Sequence, residues 1–471
     1  MSEFSPITIS CFKAYDVRGE LGVNLDEQIA YRIGRGFAEY LNPNKDAGKA
    51  IVIGSDIRPS SESLKKSAID GILDAGVDVI DLGMSGTEEV YFATSHYGAI
   101  GGIEVTASHN PINYNGLKMV RENSRPISAD TGLGEIRTIA EQGNFGAPNA
   151  RGNYQLNSDK TAYIDKLMSF TDTAKFSPKK IVVNSGNGSA GPVVDELEPR
   201  LGGGIELIKV HHTPDGTFPN GIPNPMIIAN QKATSDAVIA HKADFGVAFD
   251  GDFDRCFLFD EKGNFIEGSY VVGMLAEAFL NKHQGESIVY DPRVVYNTEN
   301  VIAQNGGVAQ ISKSGHSFIK QVMRETGAIY GGEMSAHHYF RDFAYCDSGM
   351  IPWLLVIELL SVTGKTLSEL VDGYISDFPS SGELNFRLGD LTASEIVAKL
   401  EQRYSDLNPT KNTLDGLSLD FDAWRFNLRS SNTEPLIRLN IETRGDKALL
   451  QAKTDEILAI LRECGAVSAD H

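Results

Sequence analysis

Three aspartates in one short segment are the strongest chemical signal in the sequence. The segment "DGDFDR" ends on Arg255 and places carboxylates at Asp250, Asp252 and Asp254. Carboxylates this close repel one another unless a cation lies among them. Hard oxygen ligands select Mg²⁺, Ca²⁺ or Mn²⁺. Because the flanking runs "FGVAF" and "CFLF" are typical of buried strands, the pattern predicts a divalent-cation site in a loop between two strands, with Mg²⁺ as the expected ion.

An EF-hand or a solvated hairpin tip would also be rich in aspartate. Counted from Asp250, Glu261 falls at the twelfth position of an EF-hand loop, but Arg255 stands at the sixth, where that loop needs glycine. The strand-like flanks also differ from the helices of an EF-hand. A solvated acidic turn remains an alternative, although three carboxylates against one arginine favour a bound cation.

A polar loop, "TASHNP", follows the apolar run "GAIGGIEV" and contains Ser108, with Lys118 ten residues further on. A serine in such a loop is usually a turn former, and a single lysine is usually solvated. Beside a metal loop and further anion-binding loops, the serine hydroxyl becomes a candidate for phosphoryl chemistry and the lysine a candidate proton carrier.

Two later segments are rich in groups that bind anions or sugar hydroxyls. In "RSSNTEPLIR" (429–438), arginine forks, hydroxyls and backbone N–H groups can cradle a phosphate, although a polar turn uses the same residue types. In "GGEMSAHHYF", Glu333 and Ser335 are candidates for holding sugar hydroxyls. The adjacent His337 and His338 point in different directions on a strand or helix, so they are not expected to bind one metal ion.

Two further polar segments are weaker signals. "SKSGHSFIK" contains His316 after a predicted strand, where a structural histidine is as good an interpretation as a catalytic one. Near the beginning of the chain, "FKAYDVRG" places Tyr15 and Arg18 in a polar turn. Neither segment predicts a function by itself.

A repeated pattern of strand, polar loop, helix and strand positions these loops. It begins with "AIVIGSDIR", "KIVVNSGNG" and "SIVYDPRV", and each copy predicts two parallel strands joined by a right-handed crossover. The final stretch alternates apolar and polar residues, with helices near 392–404 and 446–463, and predicts an α+β domain with an antiparallel sheet. We therefore expect three tandem α/β domains with mixed sheets and a fourth domain, with the ranges 1–152, 153–263, 264–374 and 375–471.

Composition narrows the possible partners and compartments. The chain has 471 residues and a formal net charge of −20, which disfavours nucleic acid and anionic membranes, so a small anion would need a local cationic pocket. No apolar run reaches the length of a membrane span, and the N-terminal segment lacks the features of a signal peptide. The four cysteines lie far apart, so we expect neither a disulfide framework nor a zinc site, and a cytoplasmic location.

Taken together, these loops resemble those of the α-D-phosphohexomutases. "TASHNP", "DGDFDR", "GEMSAHH" and "RSSNTEP" are similar to the phosphoserine, metal, sugar and phosphate loops of that family, in the same order, and "FKAYDVRG" is similar to its N-terminal motif. The resemblance covers essentially the whole chain and implies a heart-shaped, four-domain enzyme around a central cleft, with a last domain similar to the TATA-box-binding-protein fold. It is greatest to bacterial members acting on mannose phosphates, which implies interconversion of mannose 6-phosphate and mannose 1-phosphate for GDP-mannose synthesis.

The resemblance also implies a role for each candidate residue. Ser108 would carry the phosphoryl group and, with the three aspartates, contact Mg²⁺; hexose 1,6-bisphosphate would be the intermediate and activator. Expected partners are small hexose phosphates, and the chain would be a monomer or homodimer. The remaining implied residues are Lys118 and His316 as general acid/base candidates; Arg18 and Arg255 beside the serine phosphate; Glu333 and Ser335 on sugar hydroxyls; Arg429, Ser431, Asn432, Thr433, Arg438 and His337 on the non-reacting phosphate; and Tyr15, His109 and Arg293 as further substrate contacts.

Three residue details and four rival functions accompany this resemblance. Ala107 and Phe253 stand where many family members have glycine, and Lys118, as a general base, is expected to have a lowered pKa. A phosphoglucomutase or a mutase of dual mannose and glucose specificity would use the same loops. A Mg²⁺-dependent sugar phosphatase or a non-enzymatic protein that binds sugar phosphate or Ca²⁺ would also use several of them.

Overall fold

The computed structural model describes residues 4–146, 150–430 and 436–469. The chain divides into two compact units. The first consists of Met1–Asn264 and Asp342–Thr363, and the second of Phe265–Arg341 and Gly364–His471.

The first unit begins with a mixed sheet and its helices. Its elements are β1 (Val17–Glu20), α1 (Glu27–Leu41), β2 (Ala50–Ser55), α2 (Ser61–Asp74), β3 (Asp78–Met84), α3 (Thr87–His96), β4 (Gly101–Val105), β5 (Tyr114–Arg121), β6 (Arg125–Pro126), α4 (Gly134–Gln142) and β7 (Tyr154–Leu156). The strand order is β1-β5-β4-β2-β3-β7, with β6 beside β5. The strands β2, β3, β4 and β7 run parallel, whereas β5 is antiparallel to β1, β4 and β6. Ile51 and Ile53 of β2 are fully buried in a core shared with Phe37 of α1 and Leu64 of α2.

A second mixed sheet completes the first unit. Its elements are α5 (Thr161–Met168), β8 (Lys179–Asn184), α6 (Ala190–Leu201), β9 (Ile205–Val210), α7 (Ile228–His241), β10 (Phe245–Phe249) and β11 (Cys256–Phe259). The order is β11-β10-β8-β9, and only the β10–β11 pair is antiparallel. The predicted strands on both sides of the acidic segment are therefore confirmed as the two arms of a hairpin.

The second unit begins with a third α/β region. Its elements, with two that belong to the first unit, are α8 (Gly268–Lys282), β12 (Ser287–Tyr290), α9 (Tyr296–Gln304), β13 (Val308–Ile311), α10 (His316–Thr326), β14 (Tyr330–Gly332), β15 (His338–Phe340), β16 (Cys346–Asp347), α11 (Met350–Thr363) and α12 (Leu367–Asp377). The strand order in the second unit is β13-β12-β14-β15, in which β12 is parallel to β13 and β14, and β15 is antiparallel. The elements β16 and α11 belong to the first unit.

The C-terminal region is an antiparallel sheet with two long helices. Its elements are β17 (Leu384–Arg387), α13 (Ala393–Tyr404), β18 (Thr410–Asn412), β19 (Leu417–Asp420), β20 (Trp424–Ser430), β21 (Leu436–Thr443), α14 (Lys447–Glu463) and β22 (Val467–Ser468). All neighbours in the order β18-β19-β20-β21-β17-β22 pair antiparallel. Alternating residues of β20, such as Phe426 and Leu428, are buried in one core with Ile457 of α14.

The repeated pattern read from the sequence is confirmed. The pairs β2–β3, β8–β9 and β12–β13 are each parallel and joined by one helix. The prediction of three α/β domains with mixed sheets and an antiparallel C-terminal domain is likewise confirmed. Across the described residues, no single helix has the length and apolar character to span a membrane; α11 and α12 satisfy that test only when they are counted together.

Candidate functional site

The acidic hairpin loop presents three buried carboxylates. Asp250 and Asp252 are completely buried and Asp254 is 2% exposed. One carboxylate oxygen from each lies within 4.8 Å of the others. Burying three like charges together is unfavourable without compensating cations, so the neighbours of this loop determine what it can bind.

The backbone of the acidic loop is held in an unusual conformation. Phe253 has a φ of 44°, in the left-handed region that glycine tolerates best. Its ring is fully buried, and a Cβ on Gly86 would lie only 2.2 Å from the ring. Many members of the family that the sequence resembles have glycine at this position. Phe253 is tolerated here because burial of its ring offsets the cost of the strained backbone. A second close approach explains why residue 251 is glycine, since a Cβ there would lie 2.5 Å from the Ser108 carbonyl oxygen.

Ser108 lies directly against the acidic loop. Its Oγ donates to Oδ2 of Asp250 at 2.8 Å and lies 2.9 Å from Nδ1 of His109. Arg255 also donates to this histidine nitrogen, and since a guanidinium has no acceptor, Nδ1 of His109 carries no proton. The serine hydroxyl is thus surrounded by acceptors, and only 5% of Ser108 is exposed.

The backbone of the serine loop is fixed by a neighbouring hydroxyl group, which is itself held by a carboxylate. Ser108 itself has a φ of 47°, whereas Ala107 is a fully buried residue without such strain. The residue with a glycine-like backbone conformation is therefore Ser108 and not Ala107, where glycine is common in the resembled family. The Ser108 N–H donates to Oγ1 of Thr106 at 2.8 Å, and that hydroxyl donates to Asp56 at 2.7 Å.

Arg58 is an organising residue that the sequence reasoning missed. Its guanidinium donates to four backbone carbonyls of the serine loop, and it is 2% exposed. Asp56 lies 3.5 Å from the Arg58 Nε and orients the guanidinium. The four accepting carbonyls are those of Ser108, Asn110, Pro111 and Tyr114. The only signal in the sequence was an aspartate and an arginine directly after β2, which is not distinctive.

Lys118 lies on β5 and its ammonium group bridges two of the carboxylates. Nζ is 2.7 Å from Asp252 Oδ2 and 2.6 Å from Asp254 Oδ2. Burial alone would lower the pKa of Lys118, but these carboxylates raise it above its usual value. The expected lowering of this pKa is therefore wrong, because the neighbouring carboxylates outweigh burial.

The other candidates of the first unit surround the same loops. Arg255 pairs with Asp250 through Nε at 2.8 Å and Nη2 at 2.7 Å. Arg18, on β1, donates to Asn110 of the serine loop at 3.0 Å and pairs with Asp16 at 2.6 Å. Tyr15 lies in a bend just before β1 and is half-buried. The N-terminal motif thus reaches the serine loop through Arg18.

The donor set of the acidic loop fits a hard divalent cation. Within the described residues, no donor reaches the buried Oδ1 of Asp252. The other oxygen of Asp252 accepts from Thr87 at 2.6 Å as well as from Lys118, which orients the carboxylate. Three carboxylate oxygens within reach of one another suit the oxygen coordination of Mg²⁺. Thr87, at the first position of α3, is a second organising residue that the sequence reasoning missed.

A separate cluster of arginines lies in the second unit. Arg293 pairs with Asp291 through Nε at 2.9 Å and Nη2 at 2.8 Å. Arg429 and Arg438, on β20 and β21, both contact Glu383, at 2.8 and 3.3 Å. We call Arg293, Arg429, Arg438 and Glu383 the arginine cluster. Glu383 was not singled out from the sequence, because a lone glutamate before a strand carries no signal.

The sugar-loop candidates lie in the turn between β14 and β15. The Glu333 carboxylate accepts from the Gly315 N–H at 2.8 Å and from Tyr339, and lies 3.5 Å from Arg293 Nη2. Ser335 Oγ is 3.3 Å from the same Arg293 nitrogen. The structure therefore brings Glu333 and Ser335 to Arg293.

The two adjacent histidines that follow Ser335 have different surroundings. His338 is fully buried and hydrogen-bonded to Tyr330, whereas His337 is half-buried. His316 is the first residue of α10 and follows Gly315, which contacts Glu333. Three of the predicted phosphate-binding residues lie outside the described residues, namely Ser431, Asn432 and Thr433.

Models of one protein family match most of this chain. Four family models match in succession, described as phosphoglucomutase/phosphomannomutase alpha/beta/alpha domains I, II and III and the C-terminal domain of the same family. The matched residues are 10–147, 161–263, 267–378 and 383–460.

Individual relatives are similar over nearly their whole length. A phosphomannomutase of Salmonella montevideo is 58% identical over 458 residues, covering 96% of this chain and 99% of the relative. A phosphomannomutase of Escherichia coli strain K12 is 56% identical over 460 residues, covering 97% and 99%. A Xanthomonas campestris protein named as phosphohexose mutases is 52% identical over 458 residues, covering 97% and 100%.

Solved structures show the same relationship. A phosphoglucomutase/phosphomannomutase family protein from Burkholderia thailandensis has a TM-score of 0.86 and 32% identity, covering 98% of this chain and 99% of that one. An Aspergillus fumigatus N-acetylphosphoglucosamine mutase, solved with GlcNAc-6P and magnesium, has a TM-score of 0.60 and 14% identity, covering 95% of both chains, and is similar in fold alone. The chain belongs to the phosphoglucomutase/phosphomannomutase family.

Proposed function

We propose that the chain is a phosphohexomutase that interconverts mannose 6-phosphate and mannose 1-phosphate through a phosphoserine at position 108. The observation that carries the proposal is the 2.8 Å contact between the Ser108 hydroxyl and Asp250, inside the buried group of three carboxylates. The full-length phosphomannomutase relatives support mannose phosphate as the substrate. The product would serve GDP-mannose synthesis in the cytoplasm, where the four buried cysteines stay as thiols.

The chemistry of each half-reaction is a transfer of one phosphoryl group. A hydroxyl of the sugar monophosphate attacks the phosphorus on Ser108 and gives up its proton. The bond from phosphorus to the serine oxygen breaks, that oxygen takes up a proton, and a hexose 1,6-bisphosphate forms. After the intermediate turns around, its other phosphoryl group returns to the serine. Such transfers depend on in-line positioning and on neutralising the charge of the phosphoryl oxygens. A Mg²⁺ ion held by Asp250, Asp252 and Asp254 would supply part of that neutralisation.

Side chains of this protein supply the rest. Arg255 offers Nη2 beside the serine, and Arg18 reaches the same loop through Asn110. Lys118 is cationic next to Asp252 and Asp254, so it enters the reaction as a proton donor or charge partner. The raised pKa of Lys118 has its cause in these carboxylates, so it would fall if their charge were neutralised, and proton exchange with the sugar hydroxyl would become easier. His316 remains the second candidate for that exchange.

The proposal assigns the non-reacting phosphate to the arginine cluster. Arg429 and Arg438 present planar forks that match phosphate oxygens, and Arg293 lies beside Glu333 and Ser335, which we assign to the sugar hydroxyls. Ser431, Asn432, Thr433 and His337 are assigned to the same phosphate, and Tyr15 and His109 to the substrate, by their positions in the family motifs.

The test combines mass measurement with turnover. We expect the intact mass of the purified protein to include one phosphoryl group in a fraction of molecules, and Ser108→Ala to remove it. In a coupled assay with a trace of hexose 1,6-bisphosphate, the unaltered chain should convert mannose 1-phosphate, and Ser108→Ala should not. Ser63→Ala, at an exposed serine of α2, is the matched control and should be fully active.

Three outcomes would change or overturn the proposal. Rapid loss of phosphate from the phosphoenzyme to water in the absence of sugar would indicate a phosphatase. Equal or faster conversion of glucose 1-phosphate in the same assay would indicate a mutase of dual or glucose specificity. Full turnover by Ser108→Ala would overturn the phosphoserine mechanism.

A further inference from the structure

Glu383 lies where a bound phosphate would otherwise find its partners. Its carboxylate contacts Arg429 Nη2 at 2.8 Å, Arg438 Nη1 at 3.3 Å and Arg293 Nη1 at 3.7 Å. The Glu383 side chain is only 10% exposed. A single carboxylate thus engages all three arginines of the cluster, although the family motifs gave it no role.

The sheet geometry creates a need for such a counter-anion. Arg429 on β20 and Arg438 on β21 are directly opposite each other in the antiparallel register. Like charges at opposite positions of neighbouring strands destabilise the pairing. Glu383 offsets that repulsion by pairing with both guanidinium groups at once, accepting a hydrogen bond from Arg429 and forming an ion pair with Arg438. Burial alone would raise the pKa of Glu383, but Arg293, Arg429 and Arg438 hold it below its usual value, so the carboxylate is charged at neutral pH.

Glu383 is also held firmly in its place. It directly precedes β17, whose Leu384 pairs with Leu439 of β21. The two residues before it are tied to β21 as well, since Ser381 N donates to Ile441 O at 2.8 Å and Asn440 Nδ2 donates to Gly382 O at 2.9 Å. The backbone therefore keeps the carboxylate beside the arginines.

The Arg429 fork keeps unused donor capacity within the described residues. Arg429 is 5% exposed, and within the described residues its buried Nε has no hydrogen-bond partner. A phosphate could therefore bind while Glu383 stays in contact with Arg429. It would meet arginines whose positive charge is partly neutralised in advance, which weakens the attraction.

We propose that Glu383 is a built-in counter-anion that lowers the affinity of the arginine cluster for phosphate, so that a bisphosphorylated sugar is released in time to turn around. The inference rests on the proposed mutase function, because only a reaction with a reorienting intermediate needs its phosphate clamp to let go. A clamp of uncompensated arginines would hold the dianionic phosphate too long. Glu383 is a positioning residue, because it acts through Arg429 and Arg438.

The test is calorimetric titration of glucose 1,6-bisphosphate into the full chain carrying Ser108→Ala, at fixed Mg²⁺ and ionic strength. Adding Glu383→Gln keeps the shape and the hydrogen bond to Arg429 but removes the charge, and we expect the Kd to fall about tenfold. Glu286→Gln, which removes the same charge from the surface pair with Arg341, is the matched control and should leave the Kd unchanged. With Ser108 intact, Glu383→Gln should lower both KM and kcat.

The results separate this inference from the proposed function. An equal or higher Kd in Glu383→Gln, with a large loss of binding in Arg429→Gln, would overturn the counter-anion role and leave the phosphate clamp intact. An unchanged Kd in Arg429→Gln would instead overturn the clamp itself. If Glu383→Gln fails to fold, Glu383→Asp retracts the carboxylate while keeping its charge, and it should tighten binding by a smaller factor; weaker binding would contradict the proposal.

Discussion

The two charged clusters of this protein differ in how far their charges are compensated by neighbouring side chains. In the acidic loop of the first unit, three carboxylates face two cations, Lys118 and Arg255. In the second unit, the three arginines of the arginine cluster are paired with internal carboxylates, Asp291 and Glu383 among them. The first cluster thus leaves negative charge for a metal cation, whereas the second has most of its positive charge already matched.

The difference in charge balance suits two different tasks, which are stabilising charge during a reaction and binding a phosphate reversibly. A site that stabilises charge during a reaction should be under-compensated, so that the missing charge is supplied only where it is needed. A site that must hold and then release a phosphate benefits from moderate charge. Loss of a carboxylate from the first cluster should therefore act mainly on kcat, and loss of an arginine from the second mainly on KM.

The largest effect is expected from Asp252→Asn in the first cluster. The amide keeps the hydrogen bond from Thr87 in reach but removes the charge of a proposed metal ligand and the partner of Lys118, so kcat should fall on the order of 10³-fold. The Mg²⁺ concentration for half-maximal activity should rise at the same time. Asp195→Asn, at an exposed surface pair with Lys209, is the control and should change neither value. A normal Mg²⁺ dependence of Asp252→Asn would show that the loop is not the metal site.

Features that depend on neighbours along the chain could be predicted from the sequence. The acidic hairpin, its flanking strands and the three parallel strand–helix–strand units were all readable, because periodicity and loop chemistry are local. The contact between Ser108 and Asp250 lies 142 residues apart in the chain, and it was anticipated only because the motifs resemble those of a known family.

Features that depend on distant partners were missed. Arg58 and Thr87 are ordinary residues in their own segments, and their importance comes from carbonyls and a carboxylate supplied by other loops. The sign of the Lys118 pKa shift failed for the same reason, since two aspartates from another sheet outweigh the effect of burial. Glu383 gains its role only when β17, β20 and β21 are brought together.

A smaller effect is expected from Arg429→Gln in the second cluster. It removes one charge-assisted fork from the proposed phosphate site and leaves Glu383 to oppose the remaining arginines, so KM for mannose 1-phosphate should rise about 100-fold. The value of kcat should change by less than the KM. The control is Arg341→Gln, at the surface pair with Glu286, which should have the kinetics of the unaltered chain. A fall in kcat alone would break the division of labour between the two clusters.

The smallest expected effect is on stability. It concerns a buried glutamate in each unit that accepts hydrogen bonds from backbone N–H groups at the start of a helix. Glu88 follows Thr87 on α3 and accepts from the backbone N–H groups of Gly349 and Met350 at the start of α11. Glu442 does the same for Val295 and Tyr296 at the start of α9, but it also pairs with Arg425 at 2.6 Å. Burial raises the pKa of Glu88 to about 8, against the hydrogen bonds from Tyr163 and Ser348.

This contrast predicts a pH-dependent stability that Glu88→Gln should remove. A carboxyl group whose pKa is raised by folding contributes stability that is complete below its unfolded pKa, near 4.5, and is lost as the pH rises towards 8. Between about pH 6 and pH 8 the unaltered chain should therefore lose about 2 kcal/mol relative to Glu88→Gln. Melting temperatures of both chains across that range measure the difference.

Glutamine can accept from the two N–H groups and donate to the hydroxyls of Tyr163 and Ser348, so the fold of Glu88→Gln should persist. A melting-temperature difference that stays constant with pH would show that Glu88 is ionised throughout and that the helix N-terminus alone stabilises its charge, as Arg425 helps to do for Glu442.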